Sequence, residues 1–347
     1  MYQKILAASA CAMAMVILAY SIHANWDRLQ GRAPAPQIQQ ADGQGGAATA
    51  QAQTTGPGRF MEQFDASNLT IPEEDILRGG PPKDGIPALT APHHAPVSEA
   101  DFLDAEDRVV GVSVEGEARA YPIRLLNWHE IVNDELAGEP FAVVYCPLCD
   151  SASVIGRRIN GEVLEFGVSG LLHNSNVILY DRTHDALWSQ IGFSALSGPY
   201  AGQELPHLPF ELTTFGQWRR DHPDGTVASF QTDYPRNYRS NPYDSYFEAD
   251  RLMFPAKGSD DTRLGEKEPV LGIKIGDAVR AYPIDAIASG QEGRIEDELG
   301  GHTIVLEASR NPSQVKAVSA PDDARVVHTF WFAWVSFHPD TTLYQAE

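Results

Sequence analysis

The sequence has few basic residues and few cysteines, and each shortage excludes a class of site. Lysine and arginine number 26 against 47 aspartates and glutamates, which gives a formal net charge of −21. A surface of this sign repels phosphate, which argues against binding to nucleic acid and disfavours binding to an anionic membrane face. Only three of the 347 residues are cysteine, and two of them lie in the predicted folded region. A four-cysteine zinc site therefore cannot be built.

The first 24 residues differ from the rest of the chain. Lys4 precedes an apolar run over residues 5–22, and Ala24 follows a Ser-Ile-His stretch that resembles the end of a secretory signal. A run of this length also fits an uncleaved anchor. Residues 1–24 are therefore predicted to be a signal peptide or an N-terminal membrane anchor. The protein is expected to contact the membrane only through this segment.

Residues 25–59 are rich in alanine, glutamine, proline and glycine and have almost no large apolar side chains. Such a segment cannot bury enough surface to fold, so we predict a flexible linker. The folded region is predicted to span residues 60–347 and to lie outside the cytoplasm, in the periplasm or elsewhere in the cell envelope. Disulfides persist in that compartment.

An internal repeat organises the folded region. GVSVEGEARAYPI at 111–123 returns as GIKIGDAVRAYPI at 272–284, and each copy is followed by Asp-Glu-Leu and then by an apolar strand. We predict two related lobes, at about 100–230 and about 270–347, with a connector over 231–269. Alternating polarity and frequent turn residues indicate short antiparallel strands with a few short helices. The predicted class is α+β and β-rich.

Helical patterns are few, and the clearest are at residues 124–136 and 214–220, where Thr213 or Thr214 is suited to cap the second helix. The dipeptide Asn160-Gly161 predicts a tight hairpin, because both residues tolerate a positive φ. Further short strands are predicted at 177–180, 187–190 and 227–230.

Two cysteines lie together in Cys146-Pro147-Leu148-Cys149, directly after an apolar strand at 141–145. This spacing puts two sulfurs within disulfide reach on a turn, where one sulfur is expected to be exposed at the mouth of a polar pocket. Three interpretations are open: a redox-active dithiol, part of a metal site, or a structural disulfide. His129 serves the first two, because an imidazolium lowers a thiol pKa and an imidazole binds copper or zinc. His173 is a second candidate metal ligand.

The cysteines occur in the first copy of the repeat only. The second copy has Ser309 and Arg310 at the corresponding point, and it has nothing similar to Trp128-His129-Glu130. The shape of a lobe therefore does not require these residues, and any chemistry is assigned to the first lobe.

A further group of residues is a candidate for substrate binding: Ser169, Asp181, Arg182, Trp188 and Gln190. An aromatic ring beside a guanidinium group can hold a ligand. The alternative is a hairpin with an Asp–Arg pair on its surface. GVSGL around Ser169 lacks the final glycine of a nucleophile elbow, so a serine hydrolase is not predicted. The stretch 234–246 is predicted either to close over a site or to pack between the lobes.

Seven longer stretches carry a family resemblance: LNWHEIVND, YCPLC, FGVSGLL, YDRTHDALWSQ, HPDGT, NPYDSYF and FWFAWVSFHPDT. Over about residues 100–344 they resemble the bacterial proteins that carry the domain of unknown function numbered 3179. The resemblance implies no settled activity. Some members are labelled as selenoproteins, which implies that a cysteine position can hold selenium and favours redox chemistry at Cys146 and Cys149.

The sequence thus predicts an exported envelope protein that exchanges dithiol and disulfide at Cys146 and Cys149, with His129 promoting the thiolate. It needs no cofactor in this interpretation, and it acts with a thiol redox partner in the envelope. The second hypothesis is a copper- or zinc-binding module that uses the same three residues. The third is an envelope interaction protein with a structural disulfide. A metal site needs a third or fourth donor, so the number of ligands separates the first two hypotheses.

Overall fold

The computed structural model describes residues 58–309 and 314–345. The predictions for residues 1–24, and for the linker up to residue 57, lie outside these residues. The fold is 41% strand and 15% helix, which confirms the β-rich class with few short helices. No helix within the described ranges is long and apolar enough to cross a membrane.

The α-helices of the described residues have four to seven residues: α1 (Gly58–Met61), α2 (Ile123–His129), α3 (Phe215–Asp221), α4 (Asp244–Phe247), α5 (Ile284–Ala288) and α6 (Trp331–Phe337). Single 3₁₀ turns lie at Glu73–Asp75, Val97–Glu99 and Gly198–Tyr200. Helix α3 confirms the prediction at 214–220, and the Thr214 hydroxyl caps it by accepting from the Gln217 amide at 3.3 Å.

The predicted helix at 124–136 is only half right. Helix α2 ends at His129, because Glu130 adopts a left-handed φ of 57°. Residues 131–136 then form a strand, in which Ile131 pairs with Val144. Pairing with the neighbouring strand decides the conformation here, because the apolar spacing alone fits either structure.

The strands, in chain order, are β1 (Ile76–Arg78), β2 (Leu89–Thr90), β3 (His94–Pro96), β4 (Arg108–Val114), β5 (Glu117–Pro122), β6 (Ile131–Leu136), β7 (Glu139–Cys146), β8 (Ser151–Gly156), β9 (Arg158–Ile159), β10 (Glu162–Val163), β11 (Phe166–His173), β12 (Asn176–Asp181), β13 (Leu187–Ser189), β14 (Phe210–Thr214), β15 (Thr226–Ala228), β16 (Pro269–Ile275), β17 (Ala278–Pro283), β18 (Arg294–Leu299), β19 (His302–Ala308), β20 (Val315–Ser319), β21 (Arg325–Phe330) and β22 (Thr342–Leu343). The hairpin β9–β10 confirms the Asn-Gly turn, with φ values of 49° at Asn160 and 85° at Gly161.

Two eight-stranded sheets form the body of the fold. One has the order β18-β19-β20-β14-β4-β5-β15-β3 and the other β2-β6-β7-β8-β21-β16-β17-β22. Each sheet combines strands from 100–230 with strands from 270–347. A single buried cluster likewise contains Val110 and Tyr121 together with Leu271 and Tyr282. The two predicted lobes are therefore interleaved around a shared core and do not pack as two separate bodies.

The two RAYPI segments end the second strands of two hairpins, β4–β5 and β16–β17. Tyr121 lies opposite Val110, and Tyr282 lies opposite Leu271. In each hairpin a glycine lies against a tryptophan from a distant helix. A Cβ atom added at Gly111 would come within 2.0 Å of the Trp218 ring, and one at Gly272 within 2.2 Å of the Trp334 ring. Each glycine is required by close packing.

A four-stranded sheet, β1-β11-β12-β13, forms a further layer. Its residues Val168, Val177 and Leu179 belong to the same buried cluster as Val144 and Cys146 of β7. Strand β7 is therefore buried from Pro140 to its end. This layer encloses the cysteine turn.

Candidate functional site

A tight turn between β7 and β8 carries both cysteines. The Cys149 amide donates to the Cys146 carbonyl at 3.2 Å, and Asp150 takes a left-handed φ of 43° before β8 begins. The predicted strand at 141–145 is confirmed as part of β7. Both cysteines are free thiols, with exposed fractions of 2% at Cys146 and 0% at Cys149. The expectation of an exposed sulfur is therefore wrong, because the four-stranded sheet covers the turn.

The two thiols share one acceptor and interact with each other. The Cys149 and Cys146 sulfurs lie 3.4 and 3.9 Å from the Ser175 carbonyl oxygen, in the turn between β11 and β12. Burial opposes ionisation of Cys146, but hydrogen bonds from the Cys149 thiol and from backbone amides, including that of Val177, lower its pKa overall. Burial and the neighbouring Cys146 raise the pKa of Cys149 well above its usual value. Cys146 is thus the thiol that ionises first.

Glu130 is a buried carboxyl that interacts electrostatically with Cys146, and it is not among the site residues predicted from the sequence. Its backbone carbonyl accepts from the Tyr145 amide at 2.8 Å, and its carboxylate accepts from the Tyr243 hydroxyl at 3.3 Å. Burial, reinforced by the negative charge of Cys146, raises the pKa of Glu130 to about 8. A buried carboxyl of this kind exchanges protons near neutral pH. The available signal was a glutamate inside the apolar stretch WHEIV.

The contacts of His129 do not match the role predicted for it. Its Nδ1 lies 2.7 Å from the Pro87 carbonyl oxygen, and its Nε2 lies 2.7 Å from the Tyr238 hydroxyl. Burial lowers the pKa of His129 to about 4, so the ring is neutral at physiological pH. Both ring nitrogens are engaged with groups other than the thiols.

Gln190 is the one substrate-binding candidate that the structure connects to the cysteines. Its Nε2 donates to the Val144 carbonyl at 3.1 Å, and its Oε1 accepts from Asn176 Nδ2 at 2.8 Å. The Asn176 side chain also hydrogen-bonds Cys149 and lowers its pKa in part. Gln190 therefore positions Asn176, and Asn176 contacts the thiol.

The other four candidates make contacts within the four-stranded sheet or at its edge. Asp181 accepts from Trp188 Nε1 at 2.9 Å and is fully buried. Ser169 accepts from the Leu171 amide at 3.0 Å and donates to the Ile178 carbonyl. Arg182 forms a two-pronged contact with Asp84, at 2.8 and 3.0 Å. The predicted Asp181–Arg182 surface pair is replaced by these separate partners.

The connector covers the cysteine turn. The Tyr246 hydroxyl donates to the Leu148 carbonyl at 2.7 Å, while Tyr243 reaches Glu130. Beside them opens a cleft of about 80 Å³, whose lining includes Glu130, Leu148, Val177, Tyr243, Met253 and Phe254. Most of the lining is apolar. The predicted polar pocket is therefore replaced by an apolar cleft with one carboxyl group.

Strand β21, from the far end of the chain, fixes the other side of the turn. The Phe330 amide donates to the Cys149 carbonyl at 2.8 Å, and His328 Nδ1 lies 2.9 Å from the Asp150 carbonyl. Arg108 binds both oxygens of the Asp150 carboxylate at 3.0 Å. Burial opposes this charge, but the Arg108 guanidinium keeps the pKa of Asp150 below its usual value. The turn is rigid without any covalent link.

The residues at the turn do not fit a copper or zinc centre. Among residues 58–309 and 314–345, no group of three or more histidine, cysteine, aspartate or glutamate side chains is arranged to hold a metal. Two thiols supply only half of a tetrahedral set, and His129 is engaged elsewhere.

Comparison with known proteins gives a family and no activity. A model of the family described as "Protein of unknown function (DUF3179)" matches residues 83–328, more than two thirds of the chain. No curated protein and no solved structure is significantly similar to the sequence. The matched region contains the cysteine turn, Glu130 and Gln190. The chain belongs to the DUF3179 family of proteins of unknown function.

Proposed function

We propose that the protein carries out thiol–disulfide redox chemistry, with Cys146 as the nucleophile and Cys149 as the resolving thiol. The observation that carries this proposal is the asymmetry of the pair. The two free thiols interact, and their surroundings lower the pKa of Cys146 and raise that of Cys149. A thiolate is the reactive form of cysteine, and a neighbouring thiol is needed to close the disulfide.

The rigidity of the turn favours this function over a structural disulfide. Arg108, Asp150 and the Phe330 amide already hold the turn through buried hydrogen bonds. A covalent link between Cys146 and Cys149 would close a loop of only four residues, which constrains the unfolded chain little. A disulfide between these two cysteines would therefore add little to the stability of the fold.

A redox titration of the full-length protein tests the proposal. In a Cys11→Ser background, only Cys146 and Cys149 remain. We expect both thiols to disappear in one two-electron step, with the loss of two hydrogens from the intact mass, at a potential above about −300 mV. Cys146→Ser and Cys149→Ser should each abolish the step. A disulfide that resists reduction, together with a loss of several kcal/mol in either variant, would establish the structural role instead.

We also infer that the segments 100–230 and 270–347 are two copies of one ancestral unit. Two parallels support this. Each contains a hairpin, a short helix and a second hairpin, in the same order. Each also has a strand–helix–strand segment, β14-α3-β15 or β21-α6-β22, whose strands flank the first hairpin. An experimental structure tests the inference, because Tyr121 should superpose on Tyr282 when the two hairpins are aligned.

The cellular part of the proposal concerns the N-terminus. We propose that residues 5–22 direct export, that the folded region lies outside the cytoplasm, and that a thiol protein of the envelope sets its redox state. The apolar run and the polar linker after it support this. Cell fractionation should recover the protein from the envelope, and full-length protein in the cytosol would contradict the proposal.

A further inference from the structure

The burial of the thiols restricts what can oxidise them. Cys146 and Cys149 are only 2% and 0% exposed, and a disulfide partner must bring its own sulfur into line with the attacking sulfur. The cleft beside Glu130 borders the cysteine turn, because Leu148, which lies between the two cysteines, forms part of its lining. The identity of the oxidant therefore depends on what this cleft admits.

The cleft is small and carries little charge. At about 80 Å³, it has room for roughly five to eight molecules of the size of water. Its polar groups include Glu130 and the Tyr243 hydroxyl, and no lysine or arginine lines it. A peptide disulfide is too large for this space, and an anion finds no positive partner. A small uncharged molecule fits it.

Two residues that line the cleft also influence Cys146. The Val177 backbone amide hydrogen-bonds the Cys146 sulfur, and the negative charge of Cys146 contributes to the raised pKa of Glu130.

We propose that the oxidising substrate of the Cys146–Cys149 pair is a small neutral hydroperoxide that enters through this cleft and reacts at Cys146 beside Glu130. This inference rests on the redox function proposed above and names its substrate class. Exposed Met253, with an exposed fraction of 53%, forms part of the rim of the entrance.

The reaction balances with the groups present. The Cys146 thiol gives its proton to the Glu130 carboxylate, and the thiolate attacks one peroxide oxygen. The O–O bond breaks, and the leaving alkoxide or hydroxide takes the proton back from Glu130. Cys146 is then a sulfenic acid. The Cys149 sulfur attacks it, a disulfide forms, and water leaves with the Cys149 proton. Two thiols are oxidised, and one hydroperoxide is reduced to an alcohol or water.

Single-turnover oxidation of the reduced, full-length Cys11→Ser protein tests this substrate. We expect hydrogen peroxide to form the disulfide at least about tenfold faster than oxidised glutathione does under the same conditions. In Cys149→Ser, a dimedone adduct should accumulate on Cys146, because the sulfenic acid cannot be resolved. Met253→Trp should slow the peroxide reaction about tenfold by narrowing the entrance, while its melting temperature stays unchanged.

The variant Glu130→Gln is the second test of the hydroperoxide proposal. Loss of the proton carrier should slow peroxide oxidation by about 10²-fold, and Glu130→Asp should restore part of the rate. Glu135→Gln is the matched control, since Glu135 is an exposed glutamate on the neighbouring strand β6, and its rate should equal that of the parent.

The possible results test the hydroperoxide substrate and the redox function separately. If oxidised glutathione reacts as fast as hydrogen peroxide, or if Met253→Trp and Glu130→Gln keep the parent rate, the hydroperoxide proposal is overturned and the redox pair stands. If neither peroxide, oxidised glutathione nor diamide forms the disulfide in the folded protein, the redox function itself is overturned.

Discussion

Two hairpin series of the fold, β4–β5–α2–β6–β7 and β16–β17–α5–β18–β19, have the same order of elements but differ at the end of their last strand. In the first, the Tyr121 hydroxyl donates to Asp134 at 2.7 Å, and in the second the Tyr282 hydroxyl donates to Asp297 at 2.8 Å. The first series continues into Glu130 and the cysteine turn. The second has Ser289 after its helix and ends its last strand at Ala308. The framework therefore forms without thiols or a buried carboxyl.

Burial accounts for the difference in chemistry. Strand β7 is covered by the four-stranded sheet and is buried from Pro140 to Cys146. Its counterpart β19 begins with exposed His302 and Thr303. Exclusion of water raises the pKa of a buried carboxyl or thiol. The four-stranded sheet supplies that exclusion at the cysteine end of β7.

The largest effect that distinguishes the two series should come from Glu130. Its pKa rises from 4.5 to about 8 on folding, so the folded state holds this proton more tightly than the unfolded state. The stabilisation is complete below about pH 4.5 and is lost as the pH rises towards 8. Each pH unit in this window costs at most about 1.4 kcal/mol, so the total approaches about 4 kcal/mol between pH 5 and pH 8. Urea unfolding across this range measures it.

The matched variants for this prediction are Glu130→Gln and Glu135→Gln. Glu130→Gln should flatten the pH dependence over that window, whereas Glu135→Gln should leave it unchanged. Cys146 and Tyr243 also face Glu130, so the measurement is repeated in Cys146→Ser to remove the thiol titration. An unchanged slope in Glu130→Gln would show that this carboxyl ionises as freely as an exposed one.

The next effect concerns the two Tyr–Asp–Arg groups. Asp134 is 5% exposed and binds Arg119 at 3.1 Å and His94 at 2.8 Å, whereas Asp297 is only partly buried. Asp134→Ala should cost about 3 kcal/mol of unfolding free energy, because it leaves Arg119 without its buried partner. Asp297→Ala should cost about 1 kcal/mol. Denaturant unfolding at neutral pH compares the two, and equal losses would remove the proposed difference in burial.

The smallest expected effect concerns a feature that the two series have in common, the packing of a glycine against a tryptophan ring. Gly111→Ala and Gly272→Ala each force a methyl group into a tryptophan ring, and each should cost about 2 kcal/mol. Gly265→Ala is the control, because the nearest atom to its new methyl group is 3.7 Å away. Thermal unfolding should show similar losses for the first two variants. A large difference between them would argue against equivalent packing.

Local chemistry could be predicted from the sequence, and distant contacts could not. The Asn160-Gly161 hairpin and the Thr214 cap follow from the residues themselves. The boundary at Glu130 does not, because pairing with β7 converts residues 131–136 from an apparent helix into a strand. The burial and hydrogen bonding of Glu130 could not be predicted either, since its partner Tyr243 lies 113 residues away. The sequence predicts an imidazolium at His129, but burial lowers the pKa of this ring to about 4.

The interleaving of the two eight-stranded sheets has a consequence for the order of folding. Ala152 of β8 pairs with His328 of β21, and Leu212 of β14 pairs with Val315 of β20. Neither sheet can close until the last strands of the chain are available, and contacts so far apart in sequence form slowly. A chain that lacks β21 would also lack the Phe330 amide that holds Cys149. The cysteine turn is therefore completed only when synthesis of the chain has nearly ended, and partly made chains expose unpaired strand edges until then.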